Sequence, residues 1–206
     1  MRLALVDHYD SFSFNVLDWL VGPPEDRVEV VHVPFDDSSA LAAVERDRLP
    51  LVLSPGPKGP ADAPQTLALI SRTLGQVPIL GICLGHQLLA LAAGALIVRA
   101  RAPFHGSRIG LRVVAEDILA GMPEMFEVAT YNSLTVVEDA LPASWKVLAR
   151  SIDHGEIQAM ARIAPDAAPA FGLQFHPESF MSENSDIIRK NWLAALQRGP
   201  LPLGGS

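Results

Sequence analysis

Short apolar runs alternate with amphipathic stretches through the first half of the chain. Runs of the buried-strand type occupy Leu3 to Val6, Val28 to Val33, Leu51 to Leu53 and Val77 to Ile82, each followed by turn residues. Between them, helical periodicity covers Phe14 to Val21 with Asp10 or Ser11 as its cap, then Ser38 to Arg46, Ala63 to Leu74 and Gly85 to Ala93. Such alternation implies right-handed crossovers and a mainly parallel central sheet with helices on both faces. Functional groups should then gather beyond the carboxyl ends of the strands.

After Ala95 the rhythm changes. Runs rich in Val, Ile and Thr at Leu111 to Val114, Phe126 to Ala129, Leu134 to Val137, Val147 to Ser151, Ile157 to Ile163 and Phe171 to Gln174 predict a smaller, partly antiparallel β region. A closing helix over Asn184 to Leu196 sets Ile187, Ile188, Trp192, Leu193 and Leu196 on one face. With no internal repeat or low-complexity linker, residues 1–198 are expected to form a single α/β domain. Residues 199–206, rich in Gly and Pro, read as a flexible tail.

Composition narrows the classes of function. The 206 residues are 49% hydrophobic, ample for one buried core. A formal net charge of −7 argues against nucleic acid or an anionic membrane as partner and favours a small molecule or a protein. One cysteine excludes an intramolecular disulfide and fits a reducing compartment, the cytoplasm. The segment Met1 to Asp7 ends its apolar run at an acid with no small-residue cleavage site behind it, so it reads as a first strand and not a signal peptide. No apolar run approaches the roughly 20 residues that cross a bilayer.

Candidate chemistry centres on Gly81-Ile82-Cys83-Leu84-Gly85-His86-Gln87, where a strand pattern turns directly into a helix pattern. Glycines two residues either side of Cys83 make the Gly-x-Cys-x-Gly form of a nucleophile elbow, in which missing side chains permit a tight turn that exposes the central residue. At the head of a helix, backbone N–H groups favour a thiolate, and the Leu84 N–H is available to an oxyanion. The plainer reading is a small buried thiol between packing glycines.

A thiol nucleophile needs a proton acceptor, and the chain has six histidines. His32 lies within an apolar run and reads as a satisfied sheet residue. His105 and His154 fall in polar turns, and His86 on the elbow helix suits a structural or surface role. His176 differs because it follows the strand-like Phe171 to Phe175 and opens His176-Pro177-Glu178-Ser179. Pro177 imposes extended geometry on His176, and residues two apart on an extended chain project to one side, so Glu178 can orient the imidazole. Taken alone this is also an ordinary strand end.

Ser54-Pro55-Gly56-Pro57-Lys58-Gly59-Pro60 follows the third strand and should lie at the same sheet edge, where Gly56 can approach a ligand and supply a second oxyanion N–H. A rigid turn without a ligand is the alternative. Cysteine, histidine, acid and two backbone donors together specify acyl transfer through a thioester, and hence hydrolysis of an amide or ester. Spacing does not say which.

The chain resembles class I glutamine amidotransferases, in particular the small subunits of anthranilate synthase and aminodeoxychorismate synthase. The likeness rests on Asp7-His8-Tyr9-Asp10-Ser11-Phe12-Ser13-Phe14-Asn15, Ser54-Pro55-Gly56-Pro57, Gly81 to Gln87, Tyr131-Asn132-Ser133-Leu134 and Gly172 to Ser179, in family order over nearly the full length. It implies attack by Cys83 on the γ-amide of L-glutamine, proton transfer by His176 and orientation by Glu178. It further implies glutamine contacts from Gly56, Pro57, Lys58, Leu84, Gln87, Ser133 and Leu134. No metal or organic cofactor is implied for this subunit. Ammonia would pass to a separate synthase that binds chorismate or a close relative with magnesium, since a fused synthase domain has no room here.

There are three departures from the family pattern: Asn132 stands where histidine is usual, His8 where asparagine is common, and Lys58-Gly59 where Gly-Thr is common. They leave open whether anthranilate synthase, aminodeoxychorismate synthase or a specialised-metabolite enzyme is served. Arg99, Arg101, His105, Arg108 and Arg112 form a basic stretch without an acid, read either as a solvated edge or as a docking surface for an acidic synthase. The rival functions are a stand-alone Cys-His-acid hydrolase and a non-catalytic binding subunit.

Overall fold

The computed structural model describes residues 1–101 and 106–197; the expected tail at 199–206 lies outside them, as does His105. Strands β1 (Arg2–Asp7), β2 (Glu29–Pro34), β3 (Leu51–Leu53) and β4 (Ile79–Ile82) alternate with helices α1 (Ser13–Val21), α2 (Ser38–Arg46), α3 (Pro64–Thr73) and α4 (Leu84–Ala92). Strands β5 (Ile97–Arg99), β6 (Ser107–Val113), β7 (Met125–Thr130), β8 (Leu134–Val136), β9 (Trp145–Ser151), β10 (Ile157–Arg162) and β11 (Ala170–Leu173) follow, and α5 (Ser185–Gln197) closes the chain.

Nine strands form one sheet in the order β2-β1-β3-β4-β11-β10-β9-β6-β7, while β5 and β8 pair apart from it as a two-stranded antiparallel ribbon. The strands from β2 to β11 run parallel, and each pairing from β11 outward through β10, β9, β6 and β7 is antiparallel. Both sheet regions expected from the hydrophobic pattern are therefore present, joined at β11.

Period-two alternation divides the core. Leu3 and Leu5 of β1 pack into a cluster with Val16 and Leu20 of α1 and Ile188, Trp192 and Leu193 of α5. Ala4 and Val6 face the opposite cluster with Leu41 and Val44 of α2, Leu69 and Ile70 of α3, and Leu88 and Leu89 of α4. Because strand side chains alternate between faces, a strand covered on both sides reads as a continuous apolar run. Helices on both faces leave the strand ends as the place where polar groups can gather.

One local expectation changes. Neither Asp10 nor Ser11 caps α1: the N-cap position is Phe12 and receives no side-chain cap bond. The Asp10 carboxylate instead accepts the Phe12 N–H at 2.8 Å, closing a turn before the helix begins. Asp37 does cap α2, accepting from the N–H groups of Ser39 and Ala40 at 3.0 Å each.

Candidate active site

Cys83 occupies the junction of β4 and α4 with φ 51° and ψ −100°, a backbone conformation that a non-glycine residue adopts only when its surroundings enforce it. The enforcement is visible at both glycines. A Cβ on Gly81 would stand 2.3 Å from the Gly85 carbonyl oxygen, and one on Gly85 would stand 2.3 Å from the Leu53 carbonyl oxygen. The elbow therefore exists because helix α4 presses directly on the backbones of β4 and β3. The Cys83 N–H donates to the Leu173 carbonyl at 2.8 Å, fixing the turn to the end of β11.

That same strand end delivers His176. Its Nδ1 lies 2.6 Å from Glu178 Oε1, and Glu178 has no exposed side-chain surface; the contact is made not along an extended chain, as the spacing suggested, but across a turn closed by the Ser179 N–H on the His176 carbonyl at 3.2 Å. His176 Nε2 is buried without a hydrogen-bond partner of ordinary geometry. Burial opposes charge on His176, but hydrogen bonding and charge from Cys83 and Glu178 outweigh it and raise the imidazole from 6.5 to about 10. At neutral pH the ring is thus an imidazolium, with Nδ1–H donating to Glu178.

A cavity of about 190 Å³ opens over this pair, lined by Cys83 and His176 together with Gly56, Pro57, Lys58, Leu84, Gln87, Ser133 and Leu134. This volume lies below the roughly 300–1,000 Å³ of drug-sized sites and suits an amino-acid-sized ligand. Every residue expected to contact the ligand lines the cavity, while Glu178 stands behind His176. A Cβ on Gly56 would fall 2.3 Å from Leu84 Cδ2, so the loop after β3 and the first residue of α4 meet directly in the wall of the cavity that Cys83 also lines. Pro57 has no N–H, which leaves Gly56 and Lys58 as the backbone donors of that loop.

Nucleophile, proton carrier, orienting carboxylate and backbone donors at a helix start can carry out acyl transfer. Among the described residues no group of three or more His, Cys, Asp or Glu side chains is arranged to hold a metal ion. The class-I glutamine amidotransferase family matches residues 4–195. This chain belongs to that family. The amidotransferase is 38% identical to aminodeoxychorismate synthase component 2 of Serratia marcescens over 93% of its own length and 98% of the relative's. It is 39% identical to the pyocyanine-specific anthranilate synthase component 2 of Pseudomonas aeruginosa, covering 95% of this chain and 96% of that one. A solved glutamine amidotransferase of Thermotoga maritima shares the fold at TM-score 0.71 and 18% identity, with 96% of this chain and 97% of the other covered.

The cavity of this amidotransferase also holds residues that sequence reasoning did not assign to it. Asp10 and Phe12 reach it from the β1–α1 connection, and Tyr131 and Asn132 from the segment after β7. Phe12 and Tyr131 pack on each other at 4.9 Å and meet the His176 ring edge-on at 5.4 and 4.9 Å. Asn132 accepts from Thr130 and donates to the Leu134 carbonyl at 2.9 Å, which ties down the turn that bears Ser133. Gln174 lies beside the sulfur, its Nε2 3.7 Å from Cys83 Sγ. The signal for Gln174 was its two-residue spacing from His176, which sets both on one side of an extended chain.

His32, His86 and His8 stand apart from this chemistry. His32 pairs with Asp7 at 2.8 Å. His86 is fully buried, which removes the surface alternative, and packs against Gly172, where an added Cβ would lie 2.6 Å from its Nδ1. His8 is buried behind the Gly56 loop, its Nδ1 3.2 Å from Ser54 Oγ and its Nε2 3.0 Å from Thr66 Oγ1. Substituting His8 for the more usual asparagine therefore still buttresses that loop.

Proposed function

We propose that this chain is the glutaminase subunit of a two-component synthase that aminates chorismate or a close relative, with Cys83, His176 and Glu178 as its catalytic triad. The observation that carries the reading is Cys83, held at φ 51° on one cavity with a His176 whose Nδ1 is engaged by Glu178 at 2.6 Å. The Cys83 thiolate attacks the γ-carbonyl carbon of L-glutamine, and the carbonyl electron pair moves to oxygen, where the N–H groups of Leu84 and Gly56 receive it. Collapse of this intermediate breaks the C–N bond, and the departing nitrogen takes the proton of His176 Nε2. A γ-glutamyl thioester and ammonia result. Water then loses a proton to Nε2 and attacks the thioester carbonyl; cleavage of the C–S bond releases glutamate and restores the thiolate.

Gln87, Ser133, Leu134, Pro57 and Lys58 hold the amino-acid end of glutamine in this reading, and no cofactor takes part in the half-reaction. The named relatives are second components of synthases, which supports delivery of ammonia to a first component carrying the chorismate site and its magnesium. One thiol and no disulfide suit a cytoplasmic setting.

Affinity capture from the native cell, followed by glutamate release and product analysis with chorismate, tests the assignment and identifies the synthase. Cys83→Ala is expected to abolish glutamine-dependent synthesis by the assembled complex while synthesis from ammonium salt continues. Loss of both would assign Cys83 a structural role and overturn the reading. Partner-independent turnover unaffected by any captured synthase would assign the chain to stand-alone hydrolases instead.

A further inference from the structure

Beside the proposed triad runs a chain of two buried amides, one of which, Gln174, has no part in the acyl-transfer mechanism. Gln87 Nε2 lies 3.4 Å from the Leu134 carbonyl and 3.1 Å from Gln174 Oε1, and Gln174 Nε2 lies 3.7 Å from Cys83 Sγ. Gln174 is fully buried and Gln87 nearly so. The direction of the chain is fixed at one end, because the Leu134 carbonyl, which also accepts from Asn132, can only accept, so it is the Gln87 N–H group and not its oxygen that faces it. Gln87 gives its second N–H to Gln174 Oε1, and so turns the Gln174 N–H group towards the sulfur. Both N–H groups of Gln87 are then occupied, and its Oε1 is left as the acceptor on the cavity side.

We infer that Gln174 is a positioning residue for the nucleophile: its side-chain N–H donates to the Cys83 sulfur, and Gln87 holds that amide in the donating orientation. A neutral donor suits the place. It stabilises the thiolate without competing for the proton that His176 must move, and it holds the sulfur against rotation away from the substrate carbonyl. Hydrogen bonds to a charged acceptor are stronger than neutral ones, so the bond gains strength when the sulfur is ionised and loses it once the thioester forms. Through Gln174, Gln87 links the same sulfur to the Leu134 carbonyl, on the Ser133-Leu134 segment that also lines the cavity. The titratable and charged groups around the sulfur are His176 and, behind it, Glu178, with Asp10 and Lys58 on the cavity wall and His86 one turn into α4.

The inference rests on Cys83 being the nucleophile, but its test does not require turnover. Cys83 is the single cysteine of the chain, so iodoacetamide incorporation reports on it alone. Its alkylation rate against pH is measured for wild type, Gln174→Leu and Gln174→Glu, with thermal unfolding checking that each is folded. Gln174→Leu keeps much of the volume and removes the donor; the pH of half-maximal alkylation is expected to rise by about one unit. Gln174→Glu sets an acceptor beside the sulfur and should raise it further. Glutamine turnover by the assembled complex should fall about tenfold in kcat for Gln174→Leu with little change in KM. If either folded variant keeps the wild-type alkylation profile, Gln174 only fills space and the inference fails. Failure of the glutaminase reading would appear separately, as wild-type Cys83 that alkylates yet supports no glutamine hydrolysis in the complex.

Discussion

Burial drives an enclosed histidine towards its neutral form, and it lowers both His8 and His86 from 6.5 to about 4. For His8 burial dominates, with Asp7 and Ser54 pulling weakly the other way. Between these values the unfolded chain holds protons that the folded chain does not, so stability falls as pH drops from about 6.5 towards 4. His8→Asn removes one of the two groups, and the loss of melting temperature between pH 7 and pH 5 should be clearly smaller in that variant; an equal loss would show that His8 is protonated in the fold. His176 is as deeply buried yet moves the opposite way, to about 10, because Cys83 and Glu178 favour its charged form. Its contribution to stability is present below pH 6.5 and is lost as pH rises through about 10. NMR titration should find the His176 value lower in Cys83→Ala and also lower in Glu178→Gln, since each removes one of the raising partners. A value unchanged in both variants would mean that the imidazole is not coupled to either neighbour.

The nucleophile elbow is the element on which these residues depend, and it was legible because glycine spacing, strand pattern and helix pattern coincide around Cys83. Its two glycines are demanded by backbone and not by movable side chains. Gly85→Ala would drive a methyl group to 2.3 Å from the Leu53 carbonyl oxygen, and neither β3 nor α4 can yield without disturbing the sheet. Such overpacking is expected to cost about 3 kcal/mol or more, measured by urea unfolding. A variant of wild-type stability would mean that α4 is free to shift. Other elements were less legible for identifiable reasons. Strand β5 has one half-buried and two exposed residues, so no buried face imposes alternation on its sequence. The start of α1 was misread because Asp10 is spent on a turn of its own, a local bond that competes with capping. The contact of His176 with Glu178 was expected on an extended chain but is made across the turn that Pro177 opens, and Gln174 was not legible because nothing in the sequence says that Cys83 lies beside it.

At the scale of the whole molecule, the antiparallel half of the sheet returns to the site that the parallel half begins. His176 N–H donates to the Ala129 carbonyl on β7 at 3.0 Å, and Ser182 Oγ joins the His176 carbonyl at 2.6 Å to the Ala129 N–H at 3.0 Å. Strand β7 is the far edge of the sheet order, so the sheet must curl to bring its end, and the Tyr131 to Leu134 turn after it, beside the proposed triad. Arg108 belongs to this closure: it pairs with Glu127 on β7 at 2.8 Å and with Glu183 at 2.9 Å. The basic stretch read from sequence therefore divides, because the charge of Arg108 is engaged within the fold, whereas Arg99 and Arg101 are exposed and Arg99 borders a cavity shared with Lys58 beside the proposed glutamine site. Reversing Arg108 to Glu would set three carboxylates together; the pair is solvent-screened, so the cost should be about 1 kcal/mol, a fall of about 2–4 °C in melting temperature. Reversing Arg101 should leave the melting temperature near wild type and, if this edge meets an acidic synthase surface, weaken complex formation at low salt with the difference fading at high salt. Surface plasmon resonance with the captured synthase at two ionic strengths separates these effects. Equal affinity of Arg101→Glu and wild type at low salt would remove the docking role of Arg101, whatever happens at Arg108, because Arg101, unlike Arg108, can change the surface without breaking an ion pair to β7.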